Sequence, residues 1–148
     1  NMSASDVNKL RVETGAGMMD CKRALDAAKG DYKQALEVLA KQGITKADKK
    51  GDRAIGASHL EAYIHGGRVG VLLDVGAETD FVTRSEPFRE FAKNLAMHIA
   101  AAAPENVDAL LKQPYVRDEA VTIENYLKSV IAKVGENIRI NKFTRYQV

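Results

Sequence analysis

The stretch "HLEAYIHGGRVGVLLDVG", residues 59–76, contains two apolar runs joined by a pair of glycines. In the first run apolar and polar side chains alternate with the period of two that a strand requires, at Leu60, Ala62 and Ile64. The two glycines stand where a tight hairpin turn needs positive φ angles. We therefore predict two antiparallel strands, 58–65 and 68–76. The second is almost entirely apolar, which predicts that both of its faces are covered.

Helical periodicity follows the hairpin. A long helix is predicted at 86–102, with Pro87 in its first turn and Pro104 just beyond its end. Its apolar side chains recur every three or four residues, at Phe88, Phe91, Leu95, Ala96 and Ile99. A short helix is predicted at 106–112, and "QPYV" after it is expected to be extended because proline disfavours the α region for the residue before it.

The last part of the sequence predicts one more helix and a strand. Thr122 is a suitable N-cap for a helix at 123–134, and Gly135 a suitable end. The segment "ENIRINKFTRYQV" then alternates apolar and polar residues, with a change of phase near Phe143. It predicts a strand with an outward row of side chains that includes Arg139 and Arg145.

Residues 3–42 predict three short helices separated by turns that contain glycine. The second, at 18–29, has an apolar face made of Met18, Cys21, Leu25 and Ala28. The third begins after Asp31, a good N-cap, and is expected to close at Gly43. Helices of this length are marginal alone in water, so the three are predicted to pack together.

These patterns predict an α+β fold in three parts. A helical module takes up 1–43, a linker 44–57, and a small antiparallel sheet of about three strands packed with helices 58–148. The linker has few apolar positions and is basic, with Lys46, Lys49, Lys50 and Arg53. It is expected to be helical or mobile.

Composition limits the classes of protein that fit. The chain has 148 residues, 45% hydrophobic and 28% charged, with a net charge of +2. Such a small net charge does not by itself indicate nucleic-acid binding, which needs clustered cations. The single cysteine, Cys21, rules out an internal disulfide framework and fits a reducing compartment. The first twenty residues do not resemble a signal peptide, and no apolar run is long enough for a membrane span, so we expect a cytosol-type protein without membrane contact.

The sequence offers little for catalysis or for metal and cofactor binding. It has no phosphate-binding loop of the GxxxxGKS type, no HxxxH or CxxC pair and no GxSxG motif. His59, His65 and His98 fall on different elements, and Cys21 among small apolar residues favours an inert buried thiol. Glu78 and Asp80 share one loop without a third ligand, which favours a solvated turn over a metal site. We predict no catalytic residue, no metal and no cofactor.

Binding of a partner has more support. Met18 and Met19 are adjacent on a helix, so one can face the core while the other faces outward as an adaptable contact. Phe81 lies on the polar step between the second strand and the long helix. It either packs into the core or is held out for a partner. The residues alone leave both alternatives open.

Four motifs resemble the sequence of one family, bacterial elongation factor Ts, the guanine-nucleotide exchange factor of elongation factor Tu. They are "KLRVETGAGMMDCKRAL" at 9–25, "YIHGGRVGVLLDV" at 63–75, "ETDFV" at 78–82 and "GENIRI" at 135–140. They occur in the family's order and extend over most of the chain.

The resemblance implies roles for particular residues. It implies that the helical module, similar to ubiquitin-associated domains, docks on the nucleotide domain of elongation factor Tu through Arg11, Met18 and Met19. It also implies that the step Thr79, Asp80, Phe81 and Val82 inserts between two helices of that GTPase. There the pair Asp80 and Phe81 would disturb the magnesium and phosphate end of the nucleotide site. On this basis we expect Phe81 to be displayed outward.

The sequence also departs from the family pattern. Many members carry a coiled-coil insertion, whereas "AAAPENVDALLKQPYV" leads here almost directly from the long helix to the last helix and strand. Gly76 and Ala77 stand where the family commonly has Asn-Cys before the ETDF motif. The resemblance is thus to a short form with one core copy. The resemblance implies that short forms pair through their sheets, for which the terminal strand offers an edge, so a homodimer is predicted, in a bacterial cytoplasm or inside an organelle.

Two other functions fit parts of the sequence. A nucleic-acid adaptor would use Lys46, Lys49, Lys50 and Arg53, but Asp48 and Asp52 interrupt these cations and no aromatic residue for base stacking is nearby. We therefore expect no direct contact with nucleic acid. A peptide binder of the ubiquitin-associated type would account for the first 42 residues only.

Overall fold

A computed structural model describes residues 3–42 and 50–148 of the chain. The first range forms three helices: α1 (Ala4–Thr14), α2 (Met18–Ala27) and α3 (Tyr32–Lys41). Ser3 caps α1 by accepting a hydrogen bond from the third amide beyond it at 3.1 Å. Asp31 caps α3 by accepting from the amides of Lys33 and Gln34 at 3.0 and 3.1 Å. The predicted helical module is therefore confirmed for these residues, and the predicted cap at Gly43 lies outside them.

The predicted hairpin forms strands β1 (Ala57–His65) and β2 (Val69–Ala77). Gly66 and Gly67 take φ angles of 56° and 67° in the turn, as a tight hairpin requires. The chain ends in β5 (Ile138–Gln147), which pairs antiparallel with β2. The strand order in this three-stranded sheet is β1-β2-β5, so β2 is central.

The helices of this region include α4 (Asp80–Thr83), α5 (Glu86–Ala102), α6 (Val107–Lys112) and α7 (Ile123–Val134). A second, two-stranded sheet joins β3 (Pro114–Tyr115) to β4 (Asp118–Thr122). Thr122 caps α7, and Gly135 ends it at a φ of 81°. The predicted α+β fold with a three-stranded antiparallel sheet is confirmed, whereas α4 and the small second sheet were not predicted.

The described residues form two separate hydrophobic clusters. The larger lies between the three-stranded sheet and α5, and its fully buried members include Leu73, Phe88, Phe91, Leu95 and Ile99. The smaller lies inside the helical module and is built on Leu10, Cys21, Leu25, Ala35 and Leu39. Each cluster has its own buried side chains, as expected of two units that fold around separate cores.

Two predictions about the sheet were wrong. Only one face of β2 is covered, and Leu72 on the other face is 47% exposed. Arg145 does not point outward: its Nε and Nη2 atoms donate to the carbonyl of Ala100 on α5, at 3.1 and 3.0 Å. A shift of register next to Asp74 and Val75 places Arg145 opposite Val71, on the core side.

The helical module lies against one end of the larger unit. Helix α1 packs on α7, and Lys33 Nζ is 2.8 Å from Asp118 Oδ1 on β4. The hydrogen bond from Lys33 lowers the pKa of the Asp118 carboxyl. Of the basic linker, Lys46 and Lys49 fall outside the described residues. The division at 43, 57 and 58 stays a prediction.

Candidate partner-binding surfaces

Phe81 is held out from the body of the protein by a short helix. Strand β2 ends at Ala77, and Thr79 caps α4 through a hydrogen bond from the Val82 amide to its hydroxyl oxygen, at 3.4 Å. Successive helical residues are rotated by about 100°, so neighbours face different ways. Val82 turns into the core and is 4% exposed, whereas Phe81 is 85% exposed. The structure thus has Phe81 in the outward position.

Side chains around α4 hold its backbone in place. The Thr83 hydroxyl donates to the Asp80 carbonyl at 3.1 Å, and the Ser85 hydroxyl donates to the Val82 carbonyl at 2.6 Å. Arg89, from the next helix, donates through Nε to the Thr83 carbonyl at 2.8 Å. The carbonyls of Asp80 and Val82 also accept from backbone amides of the same turn, and Arg89 adds a bond to the Thr83 carbonyl at its end. The exposed ring of Phe81 therefore projects from an ordered helical turn.

A second set of bonds joins the loop before α4 to the loop after α7. Glu136 accepts from the backbone amide and the hydroxyl of Thr79, at 3.0 and 2.8 Å. Glu78 Oε2 accepts from the backbone amide of Asn137 at 2.7 Å. Glu78 lies in a bend before α4, as predicted, but its side chain is bonded to the second loop and is only 22% exposed. The sequence does not single out Glu136 and Asn137 within "GENIRI", because their partners are 57 and 59 residues away.

The three predicted docking residues of the helical module lie in one groove between α1 and α2. Arg11, Met18 and Met19 line it, together with Val7 and Lys22. Met18 is 57% exposed and Met19 58%. The expectation that Met18 packs with Cys21 and Leu25 was wrong, because it is the first residue of α2 and faces solvent. Thr79, Asp80, Phe81 and Val82 lie elsewhere, at the end of β2.

The outward face of the three-stranded sheet is a third exposed apolar surface. The register pairs Ala62 with Leu72 and Leu72 with Thr144, so their side chains share this face. We call it the open sheet face; its exposed apolar members are Leu60, Ala62, Ile64, Leu72 and Tyr146. A contiguous apolar patch of this kind is typical of a surface that another molecule covers.

The single cysteine and one of the three histidines, His98, are buried. Cys21 is buried and burial raises the pKa of its thiol, which disfavours the reactive thiolate. His98 is buried with both ring nitrogens engaged: Nε2 is 2.9 Å from Gln113 Oε1, and Nδ1 accepts from the Val116 amide at 3.2 Å. Within 3–42 and 50–148, no group of three or more His, Cys, Asp and Glu side chains could hold a metal ion. Across the same part of the chain, every helix is too short or too polar to cross a membrane.

The fold and these surfaces define an α+β protein with several exposed apolar side chains. A family model described as "Elongation factor TS" matches residues 78–148, the part that carries the α4 step and the last strand. This range includes two of the four motifs quoted above.

Relatives match nearly the whole chain. Elongation factor Ts of Alkaliphilus oremlandii is 38% identical over 193 residues, which take in 100% of this chain and 89% of the relative. Elongation factor Ts of Nostoc sp. is 45% identical over 146 residues, which take in 98% of this chain and 46% of the relative. A chloroplastic polyprotein of EF-Ts from Oryza sativa is 37% identical, with 98% of this chain and 17% of the relative covered. The chain belongs to the elongation factor Ts family, and so to the translation elongation factors.

The first of these alignments is longer than the chain. It extends over 193 residues, whereas this protein has 148. The relative from Alkaliphilus oremlandii therefore has stretches without a counterpart here.

Proposed function

We propose that this protein is a guanine-nucleotide exchange factor that binds elongation factor Tu and promotes the release of GDP. The observation that carries the proposal is the exposure of Phe81, at 85%, on an ordered helical turn beside the exposed carboxylate of Asp80. In this proposal α4 enters the GTPase, and Asp80 and Phe81 disturb the magnesium and phosphate end of the nucleotide site. The protein forms no covalent bond and uses no cofactor.

The exchange reaction requires that the factor bind the nucleotide-free GTPase better than the GDP-bound form. Coupling of this kind is reciprocal, so GDP weakens binding of the factor as much as the factor weakens binding of GDP. A surface that binds both forms equally does not change the affinity of the GTPase for GDP. Burial of one phenylalanine contributes about 1.5 to 3 kcal/mol, or roughly 10- to 150-fold. Phe81 can thus supply a substantial share of the difference, with Asp80 adding to it by charge.

The groove of the helical module supplies binding that both forms of the GTPase share. Met18 and Met19 are exposed and unbranched, so they can adapt to an apolar partner surface. Arg11, in the same groove, adds a cation and a planar group of hydrogen-bond donors. In our account this groove docks on the nucleotide domain of elongation factor Tu and brings α4 to its site.

We further propose that the protein is a homodimer in which two open sheet faces pack together. The apolar members of this face lie on all three strands, so a second copy could cover them in one continuous contact. A two-fold axis through the face would make the contact self-complementary. The named relatives come from bacteria and from a chloroplastic protein, so we place the activity in a bacterial cytoplasm or in an organelle.

The direct test is release of a fluorescent GDP analogue from bacterial elongation factor Tu, with and without this chain. We expect strong acceleration by the natural sequence and a large loss of it in the double variant Asp80→Ala, Phe81→Ala. Val116→Ala is the matched control, because Val116 is an exposed apolar side chain on a different loop. Equal acceleration by the double variant and the natural sequence would exclude the proposed role of α4.

A further inference from the structure

The loop before α4, the helix that carries Phe81, is joined to the loop after α7 by reciprocal hydrogen bonds. From the first loop, Thr79 donates its amide and hydroxyl to the Glu136 carboxylate, at 3.0 and 2.8 Å. From the second, Asn137 donates its amide to the Glu78 carboxylate at 2.7 Å. We call these four residues the loop brace. Each carboxylate thus accepts from the other loop, so neither loop can shift alone without breaking bonds to charged acceptors.

The end of the linker packs onto the same brace. Asn137 is buried, and its Nδ2 atom donates to the carbonyls of Gly51 and Arg53, at 3.3 and 2.9 Å. A side chain at Gly56 would begin only 2.7 Å from the Glu78 carbonyl oxygen, so the two backbones touch there. The brace is therefore enclosed on the side of the linker as well.

The brace acts on the backbone that directs Phe81. Thr79 is the N-cap of α4, and its two bonds to Glu136 fix the residue from which the helical turn starts. On the opposite side of the turn, Val82 is anchored in the core. The helix is held at both points, and Phe81 projects between them without packing on the core itself.

We infer that Glu136 is a positioning residue for nucleotide exchange, which acts through Thr79 to hold Phe81 in the orientation for insertion. Glu78 and Asn137 complete the same support. This inference rests on the proposed function. If α4 is already ordered, it loses little conformational freedom when Phe81 enters the partner. A disordered segment would have to be ordered at that step.

The effect expected from this role is specific. Docking through the groove of α1 and α2 does not depend on the brace, so loss of Glu136 should leave the concentration of factor for half-maximal effect nearly unchanged. The maximal rate of GDP release should fall, by roughly tenfold if two bonds to a charged acceptor are lost at a partly exposed site. A general loss of stability would not lower the maximal rate while leaving the half-maximal concentration unchanged.

The experiment measures release of a fluorescent GDP analogue from elongation factor Tu at increasing concentrations of the full chain. The variants are Glu136→Ala, Glu136→Gln, Phe81→Ala and the double variant Glu136→Ala, Phe81→Ala. We expect Glu136→Ala to lower the maximal rate and Glu136→Gln to lower it less, because the amide keeps an acceptor for the Thr79 backbone. In the Phe81→Ala background, Glu136→Ala should have no further effect. Glu119→Ala, an exposed carboxylate on β4, is the control and should match the natural sequence.

The outcomes separate this inference from the proposed function. If Phe81→Ala releases GDP as fast as the natural sequence, the proposed function fails. If Phe81→Ala is slow and Glu136→Ala is as fast as the natural sequence, the inference alone is overturned. An equal reduction by Glu136→Ala with and without Phe81 would also overturn it, since Glu136 would then act by another route. Should Glu136→Ala not fold, the isosteric Glu136→Gln, alone and with Phe81→Ala, decides the same question.

Discussion

Phe81 and Phe88 are the same residue type in opposite surroundings. Phe88, on α5, is fully buried against the sheet, and its ring meets that of His59 edge-on with centroids 5.9 Å apart. Phe81 is almost fully exposed and makes no such contact with the core. The free energy of unfolding should therefore depend on one of these rings and not on the other.

Substitution of each phenylalanine by alanine tests this contrast. We expect Phe88→Ala to lower the free energy of unfolding by about 3 to 5 kcal/mol, since it removes a core ring and leaves a cavity. Phe81→Ala should change it by less than about 0.5 kcal/mol. Urea denaturation followed by circular dichroism gives both values. A large loss of stability in Phe81→Ala would mean that the ring packs inside the protein in solution.

His98 makes the stability of the fold depend on pH. Burial lowers the pKa of its imidazole from the usual 6.5, and the Val116 amide that points at Nδ1 favours the neutral ring. The unfolded chain therefore binds a proton at higher pH than the folded protein does. This contribution to stability is present above about pH 6.5 and is lost as the pH falls toward the lowered folded pKa.

The measurement for His98 is the free energy of unfolding at pH 7.5 and at pH 5.0. We expect it to fall between these values, and to fall less in His98→Gln, which cannot gain a charge in this range. Carboxylates titrate in both proteins, so the difference between the two slopes isolates the histidine. Parallel slopes would show that His98 does not take up a proton on unfolding.

At the scale of helices and strands, the sequence predicted elements with strong periodicity and clear ends. The predicted bounds 86–102 and 123–134 are those of α5 and α7, because Pro87, Thr122 and Gly135 mark the ends. Helix α4 and strand β3 have four and two residues, too few for any period to show. Their formation depends on the core beneath them and on partners far away in the chain.

The inward position of Arg145 could not be read from alternation alone. Strand β5 pairs Ile140 with Val75 but Lys142 with Asp74, so one extra residue enters β5 between these pairs. Past this bulge the inward row continues with Phe143 and Arg145. There the guanidinium meets the Ala100 carbonyl in the last turn of α5, where helical carbonyls lack intrahelical partners.

Arg145 should therefore stabilise the contact between β5 and α5. We expect Arg145→Met to lower the free energy of unfolding by about 1 to 2 kcal/mol, through loss of two hydrogen bonds and a cation at a helix C-terminus. Arg145→Lys should recover part of this loss, because it keeps the charge without the paired donors. Arg139→Met, at an exposed position on the same strand, is the control and should have little effect. Equal stability of Arg145→Met and Arg139→Met would contradict the assignment.

The protein as a whole presents three apolar surfaces, and we assign a different function to each. We propose that the groove of α1 and α2 docks on the GTPase, that α4 enters it, and that the open sheet face joins two copies of the chain. The sequence indicated the first two through the family resemblance. For the third, the resemblance indicated pairing through the sheet but not this face, because the apolar residues of β2 predict a strand covered on both faces. Only the register, which gathers Leu60, Leu72 and Tyr146 on one open side, reveals it.

A charge placed on the open sheet face should prevent the proposed dimer. We expect the natural sequence to sediment as a dimer and Leu72→Asp as a monomer, since an unpaired carboxylate in an apolar contact is costly to bury. Val116→Asp, which adds the same charge to an exposed site elsewhere, should remain a dimer. A monomeric natural sequence at high protein concentration would contradict the proposal for this face.

We propose that Phe81 distinguishes the empty GTPase from its GDP-bound form, which the affinity of the chain for each form can show. Both affinities can be measured by titration calorimetry on elongation factor Tu, for the natural sequence, Phe81→Ala and Met19→Ala. We predict that Phe81→Ala lowers the ratio of the two affinities by roughly 10- to 150-fold, whereas Met19→Ala weakens both and leaves the ratio unchanged. An unchanged ratio in Phe81→Ala would contradict the account.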